Sequence, residues 1–362
     1  MNEQEEYSVR RFSNCKKNKK IIETLRISAP SFGMTKLKMF SLVFVGLIVI
    51  LFTILYIYLT WNFDYWKKRG VIGPLPKPFV GTFPKSAIFW QNFLYDQDDV
   101  YRKFQGKAAF VGVFTHRTPE LLILDSLLAN DILVGKFKHF HINDTNYNKQ
   151  NARLFSRNPF VLRNEEWKNN RADISPAFTT MKTKQIYPTV TRMCKRLSNF
   201  IKTEIASGQT MKDTKEITAK FTADVICSVA FGLEANAIND DNSEFLQISQ
   251  KLFTPSYLKL WFITLKSVFP YVFKYYEMPF VTSNIEKYFL HLTSEAIRLR
   301  EKLPGKPDDY LNFVLKLKEK RDHGLFDVTA HMITFFLDAY ETTSIILTHA
   351  LYQLAKNPQC QT

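Results

Sequence analysis

A mainly α-helical fold with a small β-sheet, standing behind an amino-terminal transmembrane helix, is the architecture this sequence predicts. Three observations carry it: an uncharged apolar run from Met39 to Trp61, two short apolar segments flanking a turn between Phe110 and Leu124, and helical periodicity from Leu162 onward. The 362 residues suffice to bury a substantial core in one large domain or two ordinary ones. They divide into a basic amino-terminal extension (1–38), a transmembrane anchor (39–61), a basic, proline-rich hinge (62–81) and a helical domain (82–362).

The run from Phe40 to Leu59 is apolar on every helical face, and a helix of that length crosses roughly 30 Å of hydrocarbon. It passes into Trp61, Tyr65 and Trp66, an interfacial aromatic group, and then into Lys67, Lys68 and Arg69. Those flanks argue for a retained anchor over a cleaved signal, which has a shorter apolar centre and a small-residue cleavage site. Basic residues stand on both sides of the span, so charge alone does not orient it. A start at Met34 would remove most of the upstream charge and turn the domain to the cytosol.

Gly73-Pro-Leu-Pro-Lys-Pro-Phe-Val-Gly81 cannot be helical, because proline fixes its dihedral and lacks an amide donor; an extended strut is expected. Phe110–Phe114 and Glu120–Leu124, separated by Thr115-His-Arg-Thr-Pro119, predict a hairpin, and Asp125 and Ser126 open a helix. Further helices are expected near Glu165–Arg171, Tyr187–Ser207, Asp213–Phe231, Ser283–Leu303 and Asp327–Lys356. The aromatic segment from Phe253 to Phe280 reads either as buried core or as a second surface touching lipid.

The content of 32 Phe, 16 Tyr and 5 Trp suits a large apolar pocket, membrane contact or an aromatic core. The net charge of +15 is spread along the chain and matches no nucleic-acid recognition motif, so it points to an anionic membrane surface or an acidic partner instead. Cys15, Cys194, Cys227 and Cys360 have neither metal-ligand spacing nor the density of a disulfide scaffold, and read as reduced thiols.

Two groups of residues bear chemistry. Trp167 and Arg171 lie four apart, so an indole N–H and a guanidinium leave one helix face and can hold carboxylates together, or stack on each other. The second group lies in a helix of about thirty residues, roughly 45 Å, capped by Asp327 and ended before Pro358. In it, Thr342 can bond back to the carbonyl of Asp338, loosening the helix beside Ala339. Glu341 beside that hydroxyl is then either a proton donor to a bound small molecule or part of a polar, solvent-facing stretch.

Together with the proline hinge, Trp167-Lys-Asn-Asn-Arg171, Ser175-Pro-Ala-Phe178, Asp224-Val-Ile226, Ala230-Phe-Gly232 and Asp338-Ala-Tyr-Glu-Thr-Thr343 resemble, in order and spacing, the cytochrome P-450 family in its microsomal, insect-like form. The resemblance runs from about Trp61 to the end and implies an incomplete haem-thiolate monooxygenase fold. Trp167 and Arg171 would bind the propionates of haem b and face the same cavity as Thr342; Glu341 and Thr342 would be the acid–alcohol pair, with Ala339 beside the oxygen site. The family implies insertion of one oxygen atom of O2 into a lipophilic substrate: a xenobiotic, steroid or fatty-acid-like molecule. Electrons would come from NADPH through a reductase, at the cytosolic face of the endoplasmic reticulum membrane.

Ala339 stands where the family usually has glycine, and Asp338 where a small residue is common, which would tighten or re-polarise the groove. The family's Glu-x-x-Arg helix and its Phe-x-x-Gly-x-Arg-x-Cys-x-Gly haem loop have no counterpart up to Thr362, so no metal ligand is assigned and the chain as written is expected to be inactive. The alternative is a non-catalytic, membrane-tethered scaffold or partner-binding protein on the same fold; a single-pass adaptor using the proline strut is a third reading.

Overall fold

The computed structural model describes residues 31–142, 153–155, 157–208, 213–254, 256–276, 279, 281–305 and 307–361. Most of the basic extension, with Cys15, lies outside the described residues, as does Phe280. The chain forms two compact units, Met1–Asp125 and Ser126–Thr362, so a boundary falls inside the domain expected over 82–362.

In the first unit, helix α1 (Ser31–Thr60) contains the apolar stretch Met39–Thr60, of mean hydropathy 2.9, long and apolar enough to cross a membrane. Thr53 and Thr60 donate to the carbonyls of Val49 and Tyr56, so these hydroxyls are satisfied within the helix. Helix α2 (Phe93–Phe104) is capped by the side chain of Asn92. Strands β1 (Phe110–Thr115) and β2 (Thr118–Ile123) then form the expected antiparallel hairpin.

The proline segment is not a free strut. The amide of Gly112 donates to the carbonyl of Ile72, and that of Thr82 donates to Phe114. Between these ties the chain closes a tight turn over Lys77 to Gly81, with Phe79 in the left-handed region. The hairpin is also tied to the segment after the anchor: Trp66 donates its indole N–H to Val113. The Trp66 ring leaves only 2.3 Å for a side chain at position 112, so glycine alone fits there. These ties bind the hairpin to residues that precede it, which is why the unit closes at Asp125.

The second unit is helical. It begins with α3 (Ser126–Asn130) and α4 (Phe137–Phe140), followed by α5 (Asn164–Ile174) and a short 3-10 turn (Ser175–Phe178). Helix α6 (Thr180–Ala206) begins seven residues before the expected Tyr187 and continues through Pro188. Pro188 and Lys184 are exposed, so the carbonyl deprived of its amide partner can turn to water. Helix α7 (Thr214–Ile226) is almost wholly buried and ends in a π turn closed by left-handed Gly232. Then come α8 (Glu244–Phe253), α9 (Tyr257–Val268), α10 (Ser283–Glu301), α11 (Tyr310–Arg321) and α12 (Leu325–Lys356).

At 32 residues α12 is about 48 Å long and packs chiefly on α7, with α10 and α11 against its first half. Asp327 is not its cap. The helix starts two residues earlier, and the Asp327 carboxylate reaches back to accept the amide of Gly324. Its other oxygen receives two bonds from Arg157. Around this half of α12 lies the core, where Phe231, Phe245, Phe253, Phe289, Phe336 and Tyr340 meet at ring separations of 5.3 to 6.5 Å. Burial of side chains such as Phe336, Met332 and Ile333 stabilises the fold by about 1.5–3 kcal/mol each.

The aromatic segment is buried core only in part. Phe253 packs on Phe336 and Tyr340, whereas Tyr257, Tyr271, Tyr275 and Tyr276 are all exposed.

Candidate functional site

The middle of α12 carries polar side chains in two directions. Thr342 Oγ1 donates a 2.6 Å bond to the carbonyl of Asp338, as its position four residues on predicts. Both side chains are exposed on one stripe of the helix, with Ala339 half-buried beside them. Glu341 leaves about 100° away. Its carboxylate meets Lys215 Nζ of α7 at 3.0 Å, and Lys215 also donates to Ser344 at 2.9 Å. Thr218 joins the same cluster through Ser344 and Thr348. The structure therefore turns Glu341 toward α7 while Thr342 faces elsewhere.

The Thr342 stripe meets the segment ahead of α5 and α5 itself. Asp338 accepts a hydrogen bond from the buried amide of Asn158 and feels the positive charge of Arg171. Desolvation outweighs both and pushes its carboxyl above the usual range. Arg171 is itself exposed, its main-chain carbonyl taken by Ser175 Oγ at 2.6 Å. Trp167, one turn earlier, is half-buried with its ring against Phe137, at 5.9 Å and 47°. Of the residues singled out in the sequence, Arg171 is thus brought near Asp338; Trp167 packs sideways on Phe137, and Glu341 is held by another helix.

Lys215 and Asn158 had escaped the sequence reading. Asn158-Pro is only a turn signal, and nothing local marks Lys215 as the partner of a residue 126 positions away.

The second unit is helical and packed around one long helix, α12, on which Thr342 bonds back to Asp338. The family model for cytochrome P450 matches residues 72–362, and the chain belongs to that family. It is 33% identical over 328 residues to "Probable cytochrome P450 28a5" of Drosophila melanogaster, covering 88% of this chain and 65% of that relative. It is 31% identical to "Probable cytochrome P450 28d1" of the same species, covering 87% and 64%. It is 30% identical to "Cytochrome P450 6j1" of Blattella germanica, covering 89% and 65%. The chain therefore spans a little under two thirds of the length of these relatives.

The family implies haem, and the chemistry of Arg171 fits it: the residue is exposed, lies within the field of Asp338 and carries a guanidinium fork suited to a propionate. Among the described cysteines, Cys227 is unsuited to ligate iron: burial, with Asp224 and Glu234 nearby, pushes its thiol up to about 12. Cys194 and Cys360 are exposed, on α6 and in the turn after α12.

Proposed function

We propose that the protein to which these residues belong is a haem-dependent monooxygenase. It would insert one oxygen atom of O2 into a lipophilic substrate, of xenobiotic, steroid or fatty-acid-like character. The observation that carries this reading, beside the family match, is the 2.6 Å bond from Thr342 to the carbonyl of Asp338, which fixes the exposed Thr342 side chain beside Ala339 on α12. The bound haem supplies dioxygen activation. This chain's residues would supply position and a hydroxyl: Arg171, with Trp167 one turn earlier, would hold the propionates, and Thr342, whose hydrogen goes to the Asp338 carbonyl, would present its oxygen as an acceptor. Glu341, oriented by Lys215 at 3.0 Å, would be the solvent-linked carboxyl partner behind it.

The second half of α12 exposes Ile345, Ile346, Leu351 and Leu354, apolar side chains spread over more than half of the helix circumference and suited to cover by haem and further protein. Helix α1 anchors the protein in the endoplasmic reticulum membrane, with the helical unit on the cytosolic side, and an NADPH-dependent reductase delivers electrons. Exposed Tyr257, Tyr271 and Tyr275 with Lys274 offer lipid a second contact.

The test is to express the complete reading frame in membranes with haem supplied, reduce it and add carbon monoxide. The long-wavelength Soret band of a ferrous thiolate site is expected, and its absence would overturn the reading. Arg171→Leu should lower haem content at unchanged protein level.

A further inference from the structure

The start of α12 carries chemistry that the Thr342 region leaves unused. His331 on α12 and His323 in the link ahead of it line a cavity of ≈ 340 Å³, to which α5 contributes Glu166, Asn169, Asn170 and Asp173. Those four lie three, one and three residues apart, so a single face of α5 brings four oxygen-bearing side chains to the cavity. Exposed Glu166 and Asn169 connect it to solvent. Two lining side chains are buried with an atom that meets no partner: Nε2 of His331, which is 2% exposed, and Oδ1 of Asn170, which is 6% exposed. Buried polar atoms normally have a partner, and water or an ion supplies it where protein does not.

The pairing of two imidazoles favours an ion over water alone. The rings of His323 and His331 stack with centroids 5.8 Å apart and planes at 26°. Two imidazoles bound to one tetrahedral zinc ion at about 2.0–2.1 Å have centroids roughly 5–6 Å apart, so this pair is spaced to share one. Desolvation, with Arg157 as the next cause, holds both rings below the ordinary histidine range and therefore neutral, the form that ligates a metal. The surrounding charge also suits a cation. Arg157 is held by Asp327 at 2.7 Å and Arg321 by Asp173 at 2.6 Å, and with Glu166 three carboxylates stand against two guanidinium groups. Among the described residues no three His, Cys, Asp or Glu side chains form a ready ligand set, so a third protein ligand has to be an amide oxygen, and Asn170 offers one.

We propose that this cavity is a binding site for a divalent transition-metal ion of the zinc class, held by His323, His331 and Oδ1 of Asn170, with water in the remaining position. Asp173, tied to Arg321, stands behind the ligands as a fixed negative charge. The bound ion joins α5 to the start of α12 and stabilises the second unit by binding the folded chain alone. The site is separate from Thr342 and does not depend on the monooxygenase reading.

The test uses the complete protein, purified without a polyhistidine tag, stripped with a chelator and titrated with Zn2+ alone. Calorimetry should show one ion bound per chain, and the thermal midpoint should rise with Zn2+ concentration. X-ray absorption at the zinc edge, which haem iron does not disturb, should show two imidazoles at about 2.0–2.1 Å and no sulfur. His323→Ala should weaken binding at least about tenfold, and Asn170→Asp, which puts a carboxylate in place of the amide, should tighten it about tenfold. No uptake, or sulfur in the zinc shell from exposed Cys194 or Cys360, would overturn the site. So would parent-like affinity in Asn170→Asp, a result that stands even where His323→Ala fails to fold.

Discussion

Lys215 on α7 and Glu341 on α12 meet at 3.0 Å, closing a gap of 126 residues in sequence. The pair joins the two most closely packed helices of the second unit at the turn proposed to carry the acid–alcohol residues. It fixes the direction of Glu341, and Ser344, Thr218 and Thr348 extend it into a polar seam. Both charges are about two thirds buried, so removal of one leaves the other poorly solvated. Lys215→Met should lower stability by about 1 kcal/mol, read as a fall in the thermal midpoint. An unchanged midpoint would mean that the pair is only decorative.

At Thr342, substitution by Ala removes both the bond to Asp338 and the outward hydroxyl. In the haem-loaded protein the carbon-monoxide spectrum should persist, while peroxide formed per NADPH rises by about tenfold or more. Unchanged coupling would remove Thr342 from proton handling.

Acid should weaken the second unit through a buried histidine. His331 is 2% exposed, and desolvation, followed by the charges of Arg157 and His323, pushes it down to about 4 from 6.5. In that window the unfolded chain binds a proton that the folded chain refuses, so stability falls as pH drops from 6.5 to 4. The loss approaches about 3 kcal/mol. Denaturant midpoints measured across this range should decline, and His331→Leu should flatten the decline. Equal slopes in both proteins would refute the assignment.

The Asp327 carboxyl has the opposite dependence on the same helix. Burial acts to raise it, but the bonds from Arg157 and the Gly324 amide prevail and hold it below the usual carboxylate range. Its contribution is present above the unfolded value near 3.9 and disappears as pH falls through the depressed folded one. Arg157→Ala should therefore cost about 1–2 kcal/mol at neutral pH and progressively less below pH ~4. A penalty independent of pH would show that Arg157 acts by packing alone.

Asp224 is 1% exposed and accepts the amides of Ala237 and Ile238, at 2.6 and 3.2 Å. Asp224→Ala would strand both donors in the core, at about 1–3 kcal/mol apiece. Soluble yield and thermal midpoint should fall together; Asp224→Asn, which keeps an acceptor, should retain part of the loss. A midpoint within experimental error of the parent would show that those amides find other partners.

Local chemistry by itself determined the elements. The uncharged run from Met39 predicts a long apolar helix, the two short apolar runs around Thr115–Pro119 a hairpin, and Thr342 a bond to the carbonyl four residues back, because each depends on neighbours in sequence. Even there, tertiary contacts moved the ends: Arg157 and Gly324 share Asp327 and shift the start of α12, and the hairpin's bonds to Ile72 and Thr82 turn a strut into a pinned turn. What only the tertiary structure decided is which way the polar groups of α12 are answered. Asn158 for Asp338, Lys215 for Glu341 and a solvent-connected cavity beside His331 come from segments more than a hundred residues away. Helical spacing says which side chains share a face, but not which distant helix that face will meet.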